Sequence, residues 1–501
     1  MPSSDNYKEK YKKCLEEVKE IGFVEKIVPP IIYVKGLPGA RIWEVVYFEN
    51  GYLGLVTSLI QDYVEVLVFT NDGIPIGTPV SRADEILQIP VGEGLIGKII
   101  TSLGTPLYEN VPLSNVGEKR TIDNPPIGIS GRERVTHPLE TGVSMVDFLI
   151  PLGKGQRELV LGDRNIGKTT FVLQSILSQL KKGSICIYAA IGKKKSAIKK
   201  VEEFFDKYEV RDKSIIVASS SSDSIGHIYT TPYSAMTIAE YFRDKGQDVL
   251  LILDDLTEHA KYYRELSLLS KKFPGRDAYP GDIFYSHARL LERAGNFKIN
   301  NKNTASITCL VVAETIEGDM SGYIQTNLMS ITDGHIFFDQ DLYKRGKRPA
   351  INHFLSVTRV GRQTQSSVRW GINRELTSFL ILQNKTERFI HFGAEVNEGI
   401  KATLSMGERV NFFFDQSMEE ILDMNVQIMI FGLIWTGVLR DYSEGKIKFY
   451  MNQAQKYYNI DKSFKEKVDK LIDSCQDFNQ FLGKISSQHK DIIEYLETVK
   501  T

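Results

Sequence analysis

One short segment has the residue types and the spacing of a phosphate-binding loop. Residues 162–170 read GDRNIGKTT, in which Gly162, Gly167, Lys168 and Thr169 satisfy the pattern GxxxxGK[ST]. A strand-like run, RELVL, precedes the segment, and a helix-like run, TFVLQSILSQL, follows it. Glycines in this context let backbone N–H groups point at phosphate oxygens, and the helix N-terminus favours negative charge. The segment predicts a nucleotide site in which Lys168 contacts the β- and γ-phosphates and the Thr169 hydroxyl binds Mg²⁺.

The predicted cofactors are ATP or ADP together with Mg²⁺. The loop residues expected to contact them are Gly162, Asp163, Arg164, Asn165, Ile166, Gly167, Lys168, Thr169 and Thr170. A magnesium nucleotide also needs an acidic residue at the end of a neighbouring strand. The run VLLILDDL supplies Asp254 and Asp255, and we expect Asp254 to face the metal because an unbroken apolar run leads into it. The alternative role for such an aspartate, and the one left open for Asp255, is to cap the following helix.

Composition excludes several classes of protein. The 501 residues carry a formal net charge of −1, so a generally basic nucleic-acid binder is not expected. The four cysteines lie far apart without a CxxC pair, which argues for a reducing compartment and against a structural zinc site. The N-terminal segment has no apolar signal core. The longest apolar stretch, residues 426–439, contains Gln427 and Gly432 and is too short to cross a bilayer, so it predicts a buried helix.

The order of local patterns predicts a multidomain chain. Residues 1–23 are predicted to form a helical segment. Residues 24–92 contain short β runs broken by turns such as Asn50-Gly51, which predicts a β-barrel. Residues 93–374 alternate buried apolar strands with helices, which predicts an α/β nucleotide-binding domain of the P-loop type with a mainly parallel sheet. Residues 375–501 predict a C-terminal α-helical domain.

Three longer stretches carry a family resemblance. Residues 128–170, 254–294 and 321–365 resemble the α subunit of F1-type rotary ATPases, and the likeness extends from about residue 25 to about residue 440 in the family's motif order. The resemblance implies an α-type chain that alternates with catalytic β-type chains in a hexameric ring around a central γ-type shaft. It also implies a peripheral stalk, a peripheral position on the cytoplasmic face of the cell membrane, no direct membrane insertion and no nucleic acid.

Within that family, the two chain types differ in the segment after the first strand that follows the phosphate-binding loop. The α type has an IGQK-like segment there and the catalytic type has a glutamate, whereas this chain reads IGKKK with Lys193 at the glutamate's place. Hydrolysis needs an acceptor that orients the attacking water, and an ammonium group is a donor only. The resemblance therefore predicts a non-catalytic nucleotide site. Without the resemblance, Lys193–Lys195 would be interpreted as a solvated basic face after a strand.

The resemblance implies further site residues. Arg359 in SVTRVG matches the arginine that the α subunit inserts into its neighbour's catalytic pocket, where a guanidinium faces the transferring phosphoryl group. Tyr343, Arg348 and Pro349 match positions around the adenine, although Tyr343 could equally be a core or interface aromatic. Gln416 matches one adenine-side glutamine. The loop around it is shorter than in the family, and the second glutamine is missing.

Three alternatives to this interpretation are retained. The ring could serve a specialised F1-like motor, as in the F1-like ATPases of mycoplasmas, instead of proton-coupled ATP synthesis and hydrolysis. A self-sufficient hexameric ATPase of the secretion or RNA-translocating type would need the carboxylate that Lys193 replaces. A structural relative with a dead site is disfavoured by the intact Lys168, Thr169 and Asp254.

Overall fold

The computed structural model describes residues 4–108, 113, 115–299, 303–391 and 398–497. The described chain begins with helix α1 (Ser4–Val18), which lies against the barrel that follows and buries Tyr11 in the contact. This helix lies within residues 1–23, the segment for which the sequence predicts helix.

Six strands close into the predicted barrel. They are β1 (Ile21–Val28), β2 (Ile31–Lys35), β3 (Glu44–Phe48), β4 (Leu53–Leu59), β5 (Val64–Val68) and β6 (Pro79–Ile86). Their order around the barrel is β1-β2-β5-β4-β3-β6, with antiparallel neighbours. β-branched residues such as Val34, Val46 and Val66 fill the interior, since alternate positions on each strand point inward. The Asn50-Gly51 turn joins β3 to β4, with Gly51 at φ 88°.

The middle of the chain forms the α/β part. Its strands are β7 (Gln88–Val91), β8 (Ile99–Ile100), β9 (Glu118–Thr121), β10 (Arg132–Glu133), β11 (Pro138–Leu139), β12 (Leu152–Gly153), β13 (Arg157–Gly162), β14 (Ile185–Lys193), β15 (Ser214–Ser220), β16 (Val249–Asp254), β17 (Gly295–Lys298), β18 (Thr304–Glu314), β19 (Gly334–Phe338) and β20 (Val357–Thr358). Its helices are α2 (Ser144–Leu149), α3 (Lys168–Lys181), α4 (Lys195–Lys207), α5 (Ile225–Asp244), α6 (Leu256–Leu269), α7 (Ile283–Leu291), α8 (Tyr323–Ile331) and α9 (Gln340–Lys344).

The main sheet has the strand order β20-β19-β13-β18-β16-β14-β15-β8 and is parallel from β19 to β8. The burial of strand β14 on both faces of the sheet explains why its sequence is an unbroken apolar run. Ile185, Ile187 and Ala189 face one core, while Cys186 and Tyr188 face another on the opposite side of the sheet. A strand covered by helices on both faces has no position for solvent-facing side chains. The carboxyl ends of β13, β14, β16 and β18 therefore meet at one edge, where ligands bind in open α/β sheets.

The last part of the described chain is helical. Its helices are α10 (Ser367–His391), α11 (Glu398–Phe414), α12 (Met424–Trp435), α13 (Glu444–Ile460), α14 (Lys462–Asp473) and α15 (Phe478–Glu497). Helix α12 is buried at nearly every position and lies in the centre of this part, which confirms the buried helix predicted from its apolar run. None of the helices in the described ranges combines the length and the apolar character that crossing a bilayer requires.

A buried ion pair joins two helices that cover one face of the main sheet. Arg293, just after α7, is almost fully buried and binds Glu240 of α5 through two hydrogen bonds of 2.9 and 2.7 Å. Its remaining N–H groups donate to the Ile122 carbonyl oxygen at 2.8 Å and to the Thr237 hydroxyl at 2.7 Å. Because the guanidinium makes four hydrogen bonds, two of them to a carboxylate, the charge is tolerated in the interior.

Glu240→Ala leaves this guanidinium buried without its counterion, and we expect it to lower the free energy of unfolding by about 3–5 kcal/mol. Urea denaturation of the full chain measures the change. Glu17→Ala is the control, because Glu17 pairs with Lys13 on the surface of α1 at 3.7 Å and should change stability by no more than about 0.5 kcal/mol. Equal effects of the two substitutions would contradict a structural role for the buried pair.

Candidate nucleotide-binding site

A cavity of about 850 Å³ lies at the carboxyl edge of the main sheet. Its walls are the loop before α3, the ends of β14 and β16, the first turns of α4, the segment after α9 and the loop at residues 416–418. The predicted site residues that line it are Arg164, Asn165, Ile166, Gly167, Lys168, Thr169, Thr170, Asp254, Tyr343, Arg348, Pro349 and Gln416. Gly162, Asp163 and Arg359 lie outside this lining.

The loop between β13 and α3 depends on Gly162. A Cβ atom at this position would lie 2.7 Å from the carbonyl oxygen of Phe338 and 2.8 Å from Cδ1 of Ile166, so only glycine fits beside β19. Gly167 precedes the first residue of α3 with φ 105°, a conformation that other residues rarely adopt. The two glycines therefore shape the loop so that the N-terminus of α3 opens into the cavity.

Lys168 is the first residue of α3 and its side chain is buried. The ammonium donates to the carbonyl oxygens of Gly162 at 2.6 Å and Asp163 at 2.5 Å. Burial lowers the pKa of Lys168, and the nearby carboxylates of Glu314, Asp255 and Asp254 act in the opposite direction. A phosphate at the N-terminus of α3 would meet this ammonium and the backbone N–H groups of the helix's first turn.

Two side chains of the loop, those of Asp163 and Arg164, hold it in place through contacts with neighbouring elements. The Asp163 carboxylate accepts hydrogen bonds from the Thr315 hydroxyl at 2.5 Å and the Gly318 N–H at 3.0 Å. Arg164 pairs with Glu314 at 2.7 Å and Glu258 at 2.9 Å. These contacts fix the loop to the end of β18 and to α6, so the Asp163 side chain supports the loop and does not face the cavity.

The acidic end of β16 meets a lysine from β14. The Lys193 ammonium lies 2.6 Å from Oδ1 of Asp254 and 2.8 Å from Oδ2 of Asp255. The Tyr188 hydroxyl, also on β14, donates to Oδ2 of Asp254 at 2.5 Å. Asp255 is the N-cap of α6 and accepts from the Glu258 N–H at 2.7 Å. Both aspartates line the cavity, and Asp255 in addition caps α6, which is the role that the sequence left open for it.

Lys193 is not part of a solvated basic face, although its neighbours Lys194 and Lys195 are exposed. Burial lowers the pKa of Lys193, but the carboxylates of Asp254 and Asp255 outweigh burial and raise the pKa above its ordinary value. The group therefore stays an ammonium at neutral pH. A charged ammonium has no acceptor lone pair, so it cannot take a proton from a water in this cavity.

The residues predicted to surround the adenine, namely Tyr343, Arg348, Pro349 and Gln416, all line the cavity. The Arg348 guanidinium stacks on the Tyr343 ring, 3.7 Å from its centroid. The Gln416 amide is buried, accepts from the Ser144 N–H at 2.6 Å and donates to the carbonyl oxygens of Glu420 at 3.1 Å and Gly142 at 3.3 Å. Because both ends of this amide hold backbone, Gln416 fixes the loop in this conformation. Its contact with a base stays a prediction.

Arg359 lies apart from the cavity, directly after edge strand β20, with an exposed side chain. Its guanidinium donates to the carbonyl oxygens of Thr332 at 3.2 Å and Met329 at 3.5 Å. These contacts leave its charge without a carboxylate partner among the residues that the structure describes. Such an arginine at a sheet edge can face a group outside this chain.

The cavity residues that were not predicted from the sequence include four with polar side chains, namely Gln174, Tyr188, Lys200 and Glu314. Tyr188 stands in an otherwise apolar strand, and its hydroxyl needs a polar partner there, which was a usable signal. Lys200 lies on α4 after Ser196 and Ala197 at helical spacing. Gln174 and Glu314 had no distinguishing pattern.

The donor set fits a magnesium nucleotide better than a metal held by protein alone. No group of three or more His, Cys, Asp or Glu side chains arranged to hold a metal occurs within the described ranges. Mg²⁺ in nucleotide sites is bound by phosphates and waters with one or two protein groups. Thr169 on the first turn of α3 and Asp254 at the end of β16 both line the cavity and can supply these groups.

Comparison with known proteins agrees with this architecture. The model of the ATP synthase alpha/beta family, nucleotide-binding domain, matches residues 142–358. The ATP synthase subunit alpha of Carsonella ruddii is 37% identical over 465 residues, covering 91% of this chain and 96% of that protein. The ATP synthase subunit alpha of Clostridium acetobutylicum is 36% identical over 489 residues, covering 97% of this chain and 96% of that protein.

The barrel, the parallel sheet with its phosphate-loop cavity and the helical end define a multidomain protein of the P-loop nucleotide-binding class. With relatives of this identity over nearly its whole length, the chain belongs to the ATP synthase subunit alpha family, as a divergent member. The resemblance and the fold class predicted from the sequence are confirmed.

Lys168→Ala removes the buried ammonium that faces the N-terminus of α3, and we expect ATP affinity to fall by about 10- to 100-fold, the range for a lost charged hydrogen bond. Isothermal titration with Mg-ATP measures the change. Lys195→Ala is the matched control, because Lys195 is exposed and lies outside the cavity lining. Unchanged affinity in Lys168→Ala would show that the phosphates bind elsewhere.

Proposed function

We propose that this chain is a non-catalytic, magnesium-nucleotide-binding subunit of an F1-type ATPase. The observation that carries the proposal is the Lys193 ammonium beside Asp254 and Asp255, at the end of β14 where a catalytic site needs a carboxylate. Glu202 on α4 does not substitute for that carboxylate, because its oxygens accept from Lys199, Arg211 and the Tyr108 hydroxyl. The chain holds a nucleotide and lacks the acceptor that hydrolysis requires.

We also propose that Arg359 acts on a neighbouring catalytic site. The exposed guanidinium at the sheet edge, which donates to two backbone carbonyl oxygens, is available to the partner in a ring. Ser356 supports the segment before it, because its hydroxyl accepts from the Phe337 N–H at 2.9 Å and donates to the Asn352 carbonyl oxygen at 2.7 Å. A guanidinium held in this way can stabilise the charge that develops on a transferring phosphoryl group.

The proposed assembly follows from the family. The relatives' name, ATP synthase subunit alpha, supports a ring in which three copies of this chain alternate with three β-type chains around a γ-type shaft, peripheral to a membrane. The loop before α7 supports a shaft-facing role. Pro274 and Pro280 pair across it, and Phe273 at its start is 97% exposed. We also propose that the ring is coupled to a proton channel. The domain borders at residues 23/24, 92/93 and 374/375 are part of the same proposal.

The isolated chain is expected to bind Mg-ATP without turning it over, because Lys193 cannot activate water. Titration calorimetry measures binding, and phosphate release measures turnover on the same preparation. The Lys168→Ala chain is the control for contaminating ATPase, since its ATP affinity should be about 10- to 100-fold lower. Steady phosphate release from the wild-type chain alone that Lys168→Ala removes would contradict a non-catalytic site.

In the complex with a catalytic β-type partner, Arg359→Ala is expected to reduce hydrolysis by about 10³–10⁵-fold, as for other arginine fingers. Nucleotide binding to this chain should persist, because Arg359 lies outside its own cavity. Arg362→Ala is the matched control, since Arg362 is exposed nearby and stacks on Trp370 of the same chain. Full hydrolysis by an intact Arg359→Ala complex would refute the assignment.

A further inference from the structure

Both oxygens of the Asp254 carboxylate are engaged within the protein. Oδ1 lies 2.6 Å from the Lys193 ammonium, and Oδ2 accepts from the Tyr188 hydroxyl at 2.5 Å. The side chains of Asp254 and Asp255 are 3% and 1% exposed, so this ion pair is largely shielded from water. A water of a Mg²⁺ hydration shell can hydrogen-bond to Asp254 only in competition with these partners.

The charge of Lys193 also changes the balance of positive and negative charges in the cavity lining. Six basic side chains line it, namely Arg164, Lys168, Lys193, Lys194, Lys200 and Arg348, against four carboxylates, those of Asp254, Asp255, Glu258 and Glu314. With a neutral amide at position 193, as in the IGQK-like segment of the α type, one of the six positive charges would be lost. The two aspartates would then face the phosphates without a counterion, and a divalent cation would be needed to screen them.

We propose that Lys193 is a built-in counter-cation that takes over part of the role of Mg²⁺, so that this site binds the polyphosphate of a nucleoside di- or triphosphate with little dependence on Mg²⁺. The ammonium lies beside Asp254 and Asp255, and all three residues line the same cavity as Lys168. It neutralises the carboxylates that would repel a metal-free nucleotide. The inference rests on the proposed nucleotide-holding function. It adds that nucleotide binding here depends less on Mg²⁺ than in a chain with glutamine at this position.

Titration calorimetry of the full chain with ATP, once in excess Mg²⁺ and once in EDTA, tests the proposal. We expect the two dissociation constants of the wild type to agree within about threefold, whereas those of Lys193→Gln should differ by about tenfold or more, the equivalent of one weakened charge interaction. Lys195→Gln removes an equal charge from an exposed position outside the cavity and should behave like the wild type. Lys193→Arg, which keeps the charge, should restore the weak Mg²⁺ dependence.

The outcomes separate this inference from the proposed function. If the wild type binds tightly in Mg²⁺ but loses about tenfold or more of its affinity in EDTA, the counter-cation role is overturned and the nucleotide-holding function stands. If the wild type binds no nucleotide under either condition, both are overturned. The wild-type ratio decides the first question by itself, so the test does not depend on the folding of Lys193→Gln.

Discussion

The ion pair between Lys193 and the two aspartates at the end of β16 governs what this site can do. It joins the carboxyl ends of two adjacent parallel strands, β14 and β16, at the sheet edge where the nucleotide cavity opens. Two buried carboxylates side by side would be costly without a cation, and breaking such a pair is strongly destabilising. The lysine therefore both permits the acidic edge and excludes a catalytic carboxylate from the position.

The remaining architecture supports this edge. Helices on both faces of the sheet bury β13, β14 and β16, and the barrel packs against the α5 side through an apolar surface shared with α1. The phosphate loop is held by the side chains of Asp163 and Arg164, and the loop at residues 416–418 is held by Gln416 through backbone contacts. The two loops that border the cavity are therefore tied to the rest of the fold by hydrogen bonds.

The sequence predicted the parts that depend on local pattern. The glycine spacing from Gly162 to Gly167, the buried apolar helix α12 and the alternation of strands and helices all have signals within a short window. The contacts of Lys193 and of Gln416 could not be predicted in this way. The first depends on β14 lying beside β16 in the sheet, and the second joins residues 144 and 416, far apart along the chain. The roles of Arg359 and Tyr343 stay predictions, because their partners lie outside this chain.

The central claim is that this chain retains its nucleotide while hydrolysis takes place on its neighbour. In the most direct measurement, the assembled complex is loaded with ATP labelled in the γ-phosphate and is then chased with unlabelled ATP during turnover. The label bound at this chain's site is the part that is present in the wild-type complex and absent from a Lys168→Ala complex. The account predicts that this label stays bound as intact triphosphate through many turnovers. Release of the same label as phosphate at the rate of bulk hydrolysis would contradict it.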